Sequence, residues 1–121
     1  MNDIFAQELN GSKVAVTDLE TLMALQLGHF TSMQVRNKQV KGLELHLRRL
    51  EQSSKKLFGC HLSAARILAC LRNILTDDQP YSIRINIFTR NFYQPVIQED
   101  DLHILITRSA PVAAVMAPVR V

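Results

Sequence analysis

The sequence has no tryptophan, and only two tyrosines and five phenylalanines among its 121 residues. A protein that grips single strands by stacking bases on aromatic rings has little to do it with here. Cysteine is nearly as scarce. Cys60 and Cys70 are the only two, which excludes a disulfide framework. Glycine and proline number four each, too few for a flexible linker or a fibrous repeat. No apolar run approaches the roughly 20 residues that cross a bilayer. The N-terminus, MNDIFAQELNG, lacks a basic stretch followed by an apolar core, so it does not read as a secretory signal. Without an export signal the two thiols are expected to be free and buried, and the protein cytoplasmic with no membrane partner.

What is present is ordinary globular material. Apolar residues make up 47% and charged residues 21%, a balance that can bury a core. The length suits one domain, residues 1–121. The net charge of +3 is too small to call for nucleic acid by itself. Seven of the 14 basic residues nevertheless fall within 36–56: Arg36, Lys38, Lys41, Arg48, Arg49, Lys55 and Lys56. This clustering keeps a second reading open, a non-catalytic module for anion or nucleic-acid binding or for dimerisation.

Asn10-Gly11 is the clearest turn signal, because the pair accepts the positive φ angles of a two-residue hairpin. It would join a strand through Ile4, Ala6 and Leu9 to a return through Val14 and Val16. Residues 18–27 suit a short helix or an irregular connector, with Asp18 as candidate N-cap and Gly28 as candidate stop. HFTSMQVR (29–36) alternates as a strand does, and 36–39 is turn-like. A helix is expected over 43–58, closed by Gly59, and a second over 63–75, opened by Ser63. Three apolar runs follow at 81–90, 101–108 and 112–121. The second is nearly continuous, as in a strand covered on both faces. Strands, two helices and strands predict an α+β domain, its small antiparallel or mixed sheet carrying two helices packed on one face.

The stretch LELHLRRLEQSSKKLFG (43–59) holds the most informative pair. At about 100° per residue, Leu50 and Leu57 fall near the centre of a buried face. His46, Arg49 and Ser53 line one flank, and Arg48, Gln52 and Lys55 face water. Arg48 is therefore expected to be solvated, whereas Arg49 stands at the border of the core. An Arg there is either a snorkelling side chain with an ion-pair partner or an anion site, since a planar guanidinium meets phosphate bidentately.

His46-Leu-Arg-Arg-Leu50 followed by Gln52-Ser53-Ser54 resembles the H-x-x-R-L motif of fold-type IV pyridoxal-phosphate enzymes, the class-IV aminotransferase and 4-amino-4-deoxychorismate lyase family. Other segments match in the same order. Asn10-Gly11 resembles the family's N-terminal hairpin, and Gly28-His-Phe-Thr-Ser32 its G-[DE]-G-x-F-[ET]-T strand. Phe88-Thr-Arg90 resembles its strand ending in a [TS]-R-G turn, and Ala117-Pro-Val-Arg120 the S-P-V-R segment before the second domain. The matches span about residues 9–121, the family's whole N-terminal small domain.

The resemblance implies that Arg49 binds the phosphate of pyridoxal 5'-phosphate in a full-length form, and that His46 orients the helix. It implies that Arg90, Phe92 and Tyr93 line the side that receives an amino-acid or amino-chorismate substrate. A bland reading of those three, as an ordinary polar strand end, stays open. Homodimerisation is implied as well. Departures accompany the matches. The family's acidic residue after glycine is His29, its Arg-Gly turn is Arg90-Asn91, and its Glu of the transaminases is Thr31, a slight lean towards the lyase.

The Schiff-base lysine is the largest departure. Lys13, Lys38 and Lys41 fall in or beside turns, and Lys55 and Lys56 on the wet side of the helix, where no depressed-pKa amine is expected. The chain thus reads as a small domain whose catalytic partner domain is absent, with no catalytic residue of its own, inactive by itself and prone to self-association. No metal site is expected, because His29, His46, His61 and His103 lack zinc-site spacing. Asp18, Asp77, Asp78, Glu99, Asp100 and Asp101 are expected as solvated carboxylates at caps and turns.

Overall fold

The computed structural model describes residues 4–13 and 19–111. Strand β1 (Ile4–Leu9) turns at Asn10 and Gly11 into β2 (Ser12–Lys13). Both turn residues have positive φ, 52° and 86°, the conformation that Asn-Gly accepts. Val14, Val16 and Asp18 lie outside the described residues, as does the third apolar run at 112–121. Helix α1 (Leu19–Gln26) resolves the choice between helix and connector. Strand β3 (His29–Arg36) returns through Asn37 and Lys38, at φ 52° and 58°, into the short β4 (Gln39–Val40).

Helix α2 (Leu43–Phe58) has the predicted bounds, and Gly59 closes it at φ 69° with its N–H bonded to the Lys55 carbonyl. Helix α3 (Ala64–Ile74) follows Ser63. The Ser63 hydroxyl makes no capping bond. Its backbone N–H instead donates to Glu99 Oε1 at 2.7 Å. Strand β5 (Tyr81–Phe88), a 3₁₀ turn at Glu99–Asp101 and strand β6 (His103–Ser109) complete the described chain.

The six strands form one antiparallel sheet in the order β2-β1-β6-β5-β3-β4. Alternation along β3 and β5 puts Met33, Val35, Ile83, Ile85 and Ile87 on one face. Leu50 of α2 and Ile67, Leu71 and Ile74 of α3 cover it. This is the expected α+β arrangement with two helices on one face. A third helix, α1, packs on the other face, where Ala24 meets Phe88 and Leu105. Leu105 is thereby buried from one side while Ile104 and Ile106 are buried from the other, which explains why the run in β6 barely alternates.

Four expectations need correction. Leu57 is 52% exposed, because Phe58 takes the core-facing position at the end of α2. Gly28 is no helix stop by conformation. A Cβ there would lie 2.2 Å from the Ile87 carbonyl oxygen, so glycine is required where β3 meets β5. Asp77 is not simply solvated, since Arg108 Nη2 donates to both its oxygens, at 2.7 and 2.9 Å, while stacking 3.8 Å from the Tyr81 ring centre. Cys60 and Cys70 are free but only partly buried.

Candidate functional site

The first candidate site lies on the seam between β3 and α2. Two short hydrogen bonds tie the elements together. Thr31 Oγ1 and His46 Nδ1 are 2.7 Å apart, and so are Ser54 Oγ and His29 Nε2. The inward positions of β3 carry His29 and Thr31, so alternation aims both at the helix. Ser54 is completely buried. Burial lowers the pKa of His29, and burial together with the neighbouring Arg49 charge lowers that of His46. Both rings are held towards the neutral form, which suits them to bridge a strand and a helix. The Thr31–His46 contact ties α2 to β3.

Arg49 stands one helical turn beyond His46. It is exposed, and it has no hydrogen bond or ion pair among the described residues. Arg48 is exposed too, but its guanidinium lies 3.9 Å from Glu44. The two arginines thus differ in pairing more than in burial. The snorkelling alternative for Arg49 called for an ion-pair partner, and the described residues supply none. A cavity of about 240 Å³ opens beside the same flank, lined by His29, Ser53, Lys56 and Leu57.

Arg90, Phe92 and Tyr93 come together elsewhere, at the end of β5. With Met23 and Ala24 of α1 and Leu27 just after it they line a cavity of about 340 Å³. Arg90 Nη2 donates to Thr21 Oγ1 at 3.1 Å, and its guanidinium sits 5.7 Å from the Phe88 ring centre. Phe92 and Tyr93 meet edge to face at 5.6 Å. This group accompanies α1, on the sheet face opposite α2. The structure therefore does not join Arg49 and Arg90 in one pocket.

Sequence reasoning missed a neighbour of that cavity. On the α1 side of the sheet Arg84 lies 3.8 Å over the Phe30 ring. Both line a groove of about 610 Å³ with Gln7, Asn86 and Thr107, and Gln26 lines this groove and the Arg90 cavity alike. The signal was there, since Arg84 is the charged residue at an outward position of the alternating run Ile83, Ile85, Ile87.

No protein-family profile matches the sequence, and a search of curated proteins finds no match. A search of solved structures does find a likeness. The chain resembles a branched-chain amino acid aminotransferase from Thermobaculum terrenum, solved in its PLP-bound holo form, with a TM-score of 0.66 over 94% of this chain. Identity is 17%. The likeness is one of fold. The chain spans 42% of the aminotransferase's length.

Whether these residues fit pyridoxal phosphate can be judged end by end. A phosphate suits the flank of Arg49, an exposed unpaired guanidinium with no carboxylate on it. A Schiff base is another matter. All five lysines, Lys13, Lys38, Lys41, Lys55 and Lys56, are exposed, and Lys38 approaches Asp78 at 4.0 Å. None is a sheltered amine. Among the described residues the fit therefore extends to an unpaired cation at Arg49 and not to a Schiff-base amine. Among the described residues no helix is long and apolar enough to cross a membrane, and no group of three or more His, Cys, Asp or Glu could hold a metal ion.

Proposed function

We propose that this chain is the N-terminal small domain of a pyridoxal-phosphate-dependent enzyme of the class-IV type. The activity would be that of an aminotransferase or an aminodeoxychorismate-type lyase, on an amino-acid or amino-chorismate substrate and as a homodimer. The observation that carries the reading is Arg49. An unpaired guanidinium stands at the motif position of a helix, in a fold that matches an aminotransferase over 94% of the chain. Bound in the full-length enzyme, the cofactor would act as an electron sink on the substrate. In this domain Arg49 would hold the phosphate, and the Thr31–His46 bond would keep α2 and its arginine in place. Arg90 and Tyr93 would face the substrate, the guanidinium suited to a carboxylate.

The experiment is a binding comparison. Pyridoxal phosphate and phosphate-free pyridoxal are titrated into the full-length enzyme, wild type and Arg49→Gln. The wild type is expected to prefer the phosphorylated form, and the variant to lose roughly tenfold of that preference, as expected for a charge-assisted bidentate contact. An unchanged preference overturns the assignment. A Schiff-base absorption band abolished by borohydride is expected of that enzyme as well. For the chain alone, no such band and no turnover are expected.

The basic-module reading has less behind it. Lys38 and Arg48 lie near Asp78 and Glu44, so part of the clustered charge is already balanced. Nucleic-acid binding that falls steeply with salt would support it.

A further inference from the structure

Charge is distributed unevenly around α2. Its two glutamates lie on one flank, Glu44 at 3.9 Å from Arg48 and Glu51 at 3.9 Å from His61. The other flank carries Arg49, Ser53 and Lys56. At about 100° per residue these three fall within a wedge of about 60° on consecutive turns. None of them has a hydrogen bond or ion pair among the described residues, and no carboxylate shares the wedge. Helical side chains lean back towards the helix N-terminus, which brings Lys56 over Ser53. Ser53 and Lys56 also line the cavity of about 240 Å³ between α2 and the start of β3, walled by the His29 ring and by half-exposed Leu57.

We infer that Ser53 and Lys56 complete, with Arg49, a site for an organic phosphate monoester that this domain presents by itself. The guanidinium and the ammonium share the phosphate charge, and the Ser53 hydroxyl donates to a phosphate oxygen. Leu57 covers part of the organic group, which distinguishes a monoester from inorganic phosphate. The inference rests on the phosphate role proposed for Arg49 and adds two residues that the motif resemblance did not assign.

Phenyl phosphate and inorganic phosphate are the probes, titrated into the full chain at low salt and followed by its backbone amide NMR signals. Signals from residues 49–57 are expected to move, and phenyl phosphate is expected to bind more tightly than inorganic phosphate. Lys56→Gln should weaken phenyl phosphate roughly three- to fivefold, as for a partly screened ion pair. Lys56→Arg should retain binding. Lys55→Gln, on the opposite flank, should leave it unchanged, and unaltered spectra elsewhere show that the variants fold. No movement of these signals overturns the inference, as does equal binding of the two probes. If Arg49→Gln loses binding while Lys56→Gln does not, the added residues are wrong and the role of Arg49 stands. If Lys56→Gln alone weakens binding, the role of Arg49 fails. If neither variant changes affinity, both claims fall.

Discussion

Replacing Gly28 by alanine puts a methyl group where no space exists. The added Cβ would lie 2.2 Å from the Ile87 carbonyl oxygen and 3.0 Å from Phe88 Cβ. Both neighbours belong to the centre of the domain. Ile87 pairs with His29 in the β3–β5 ladder, and Phe88 is fully buried against α1. The backbone oxygen cannot swing aside as a flexible side chain would, so the strands must part. Overpacking a rigid site costs about 1–3 kcal/mol, and separation at the end of a ladder adds roughly one hydrogen bond, about 1 kcal/mol. Gly28→Ala should therefore cost about 3 kcal/mol. A domain of this size is stable by roughly 6–18 kcal/mol, so the loss is a large fraction but leaves a protein that folds.

Gly59→Ala is the internal comparison. Gly59 has φ 69° and nothing within 4 Å of an added Cβ, so only the left-handed conformation is penalised, by about 1 kcal/mol. Asparagine tolerates that conformation and should recover part of the loss at 59, but none at 28. The assay is urea unfolding followed by far-ultraviolet circular dichroism, with the slope of the transition checked for constancy. If Gly28→Ala unfolds at the same urea concentration as Gly59→Ala, the close approach of β3 and β5 is refuted.

Ser54→Ala removes the partner of His29 Nε2 from a fully buried position. The predicted cost is about 1–3 kcal/mol, read by the same unfolding assay, and a loss below about 0.5 kcal/mol would show that the seam does not depend on this bond. Stability should also fall in mild acid. His29 and His46 have lowered pKa values in the folded chain, so the unfolded chain binds more protons below about pH 6.5. Their contribution is complete above that pH and is lost progressively towards the lower folded values. His46→Gln should flatten the profile as pH falls below about 6.5, and an unchanged slope there would mean that His46 is not held neutral. At lower pH, loss of the Asp77–Arg108 pair should follow. Asp77 is held below the usual carboxylate range by its hydrogen bond from Arg108, so its stabilising contribution fades as pH falls through that lowered value.

Much of this arrangement was legible in the residues. Asn10-Gly11 marks a turn because few other pairs accept positive φ twice, and the hairpin is there. The bounds of α2 follow from a helical apolar period ending at Gly59. Leu57 misled, because periodicity cannot tell which of two adjacent apolar residues, Leu57 or Phe58, meets the core at a helix end. The residues of α1 carry no sharp apolar stripe, so whether they would be helical depended on a surface to pack against. That surface is Phe88 and Leu105, distant in sequence.

The candidate site divides along the same line. The wheel put Arg48 in water and Arg49 at the border of the core, and the structure leaves both exposed, because a long side chain on a helix flank extends past the apolar face into solvent. Pairing was decided in three dimensions. Arg48 found Glu44 within its own helix, while Arg49 has no described partner. The bonds of His29 to Ser54 and of Thr31 to His46 join residues 25 and 15 positions apart, and no local pattern announces them. Separation of Arg49 from the Arg90 cavity is likewise a property of the sheet between them. Sequence by itself determined α2 and α3, the Asn10-Gly11 turn and the outward sides of β3 and β5, because those depend on short-range periodicity and backbone preference. Only the tertiary structure decided which charges stay unpaired and which face of the sheet each cavity occupies, because those depend on where distant segments come to lie.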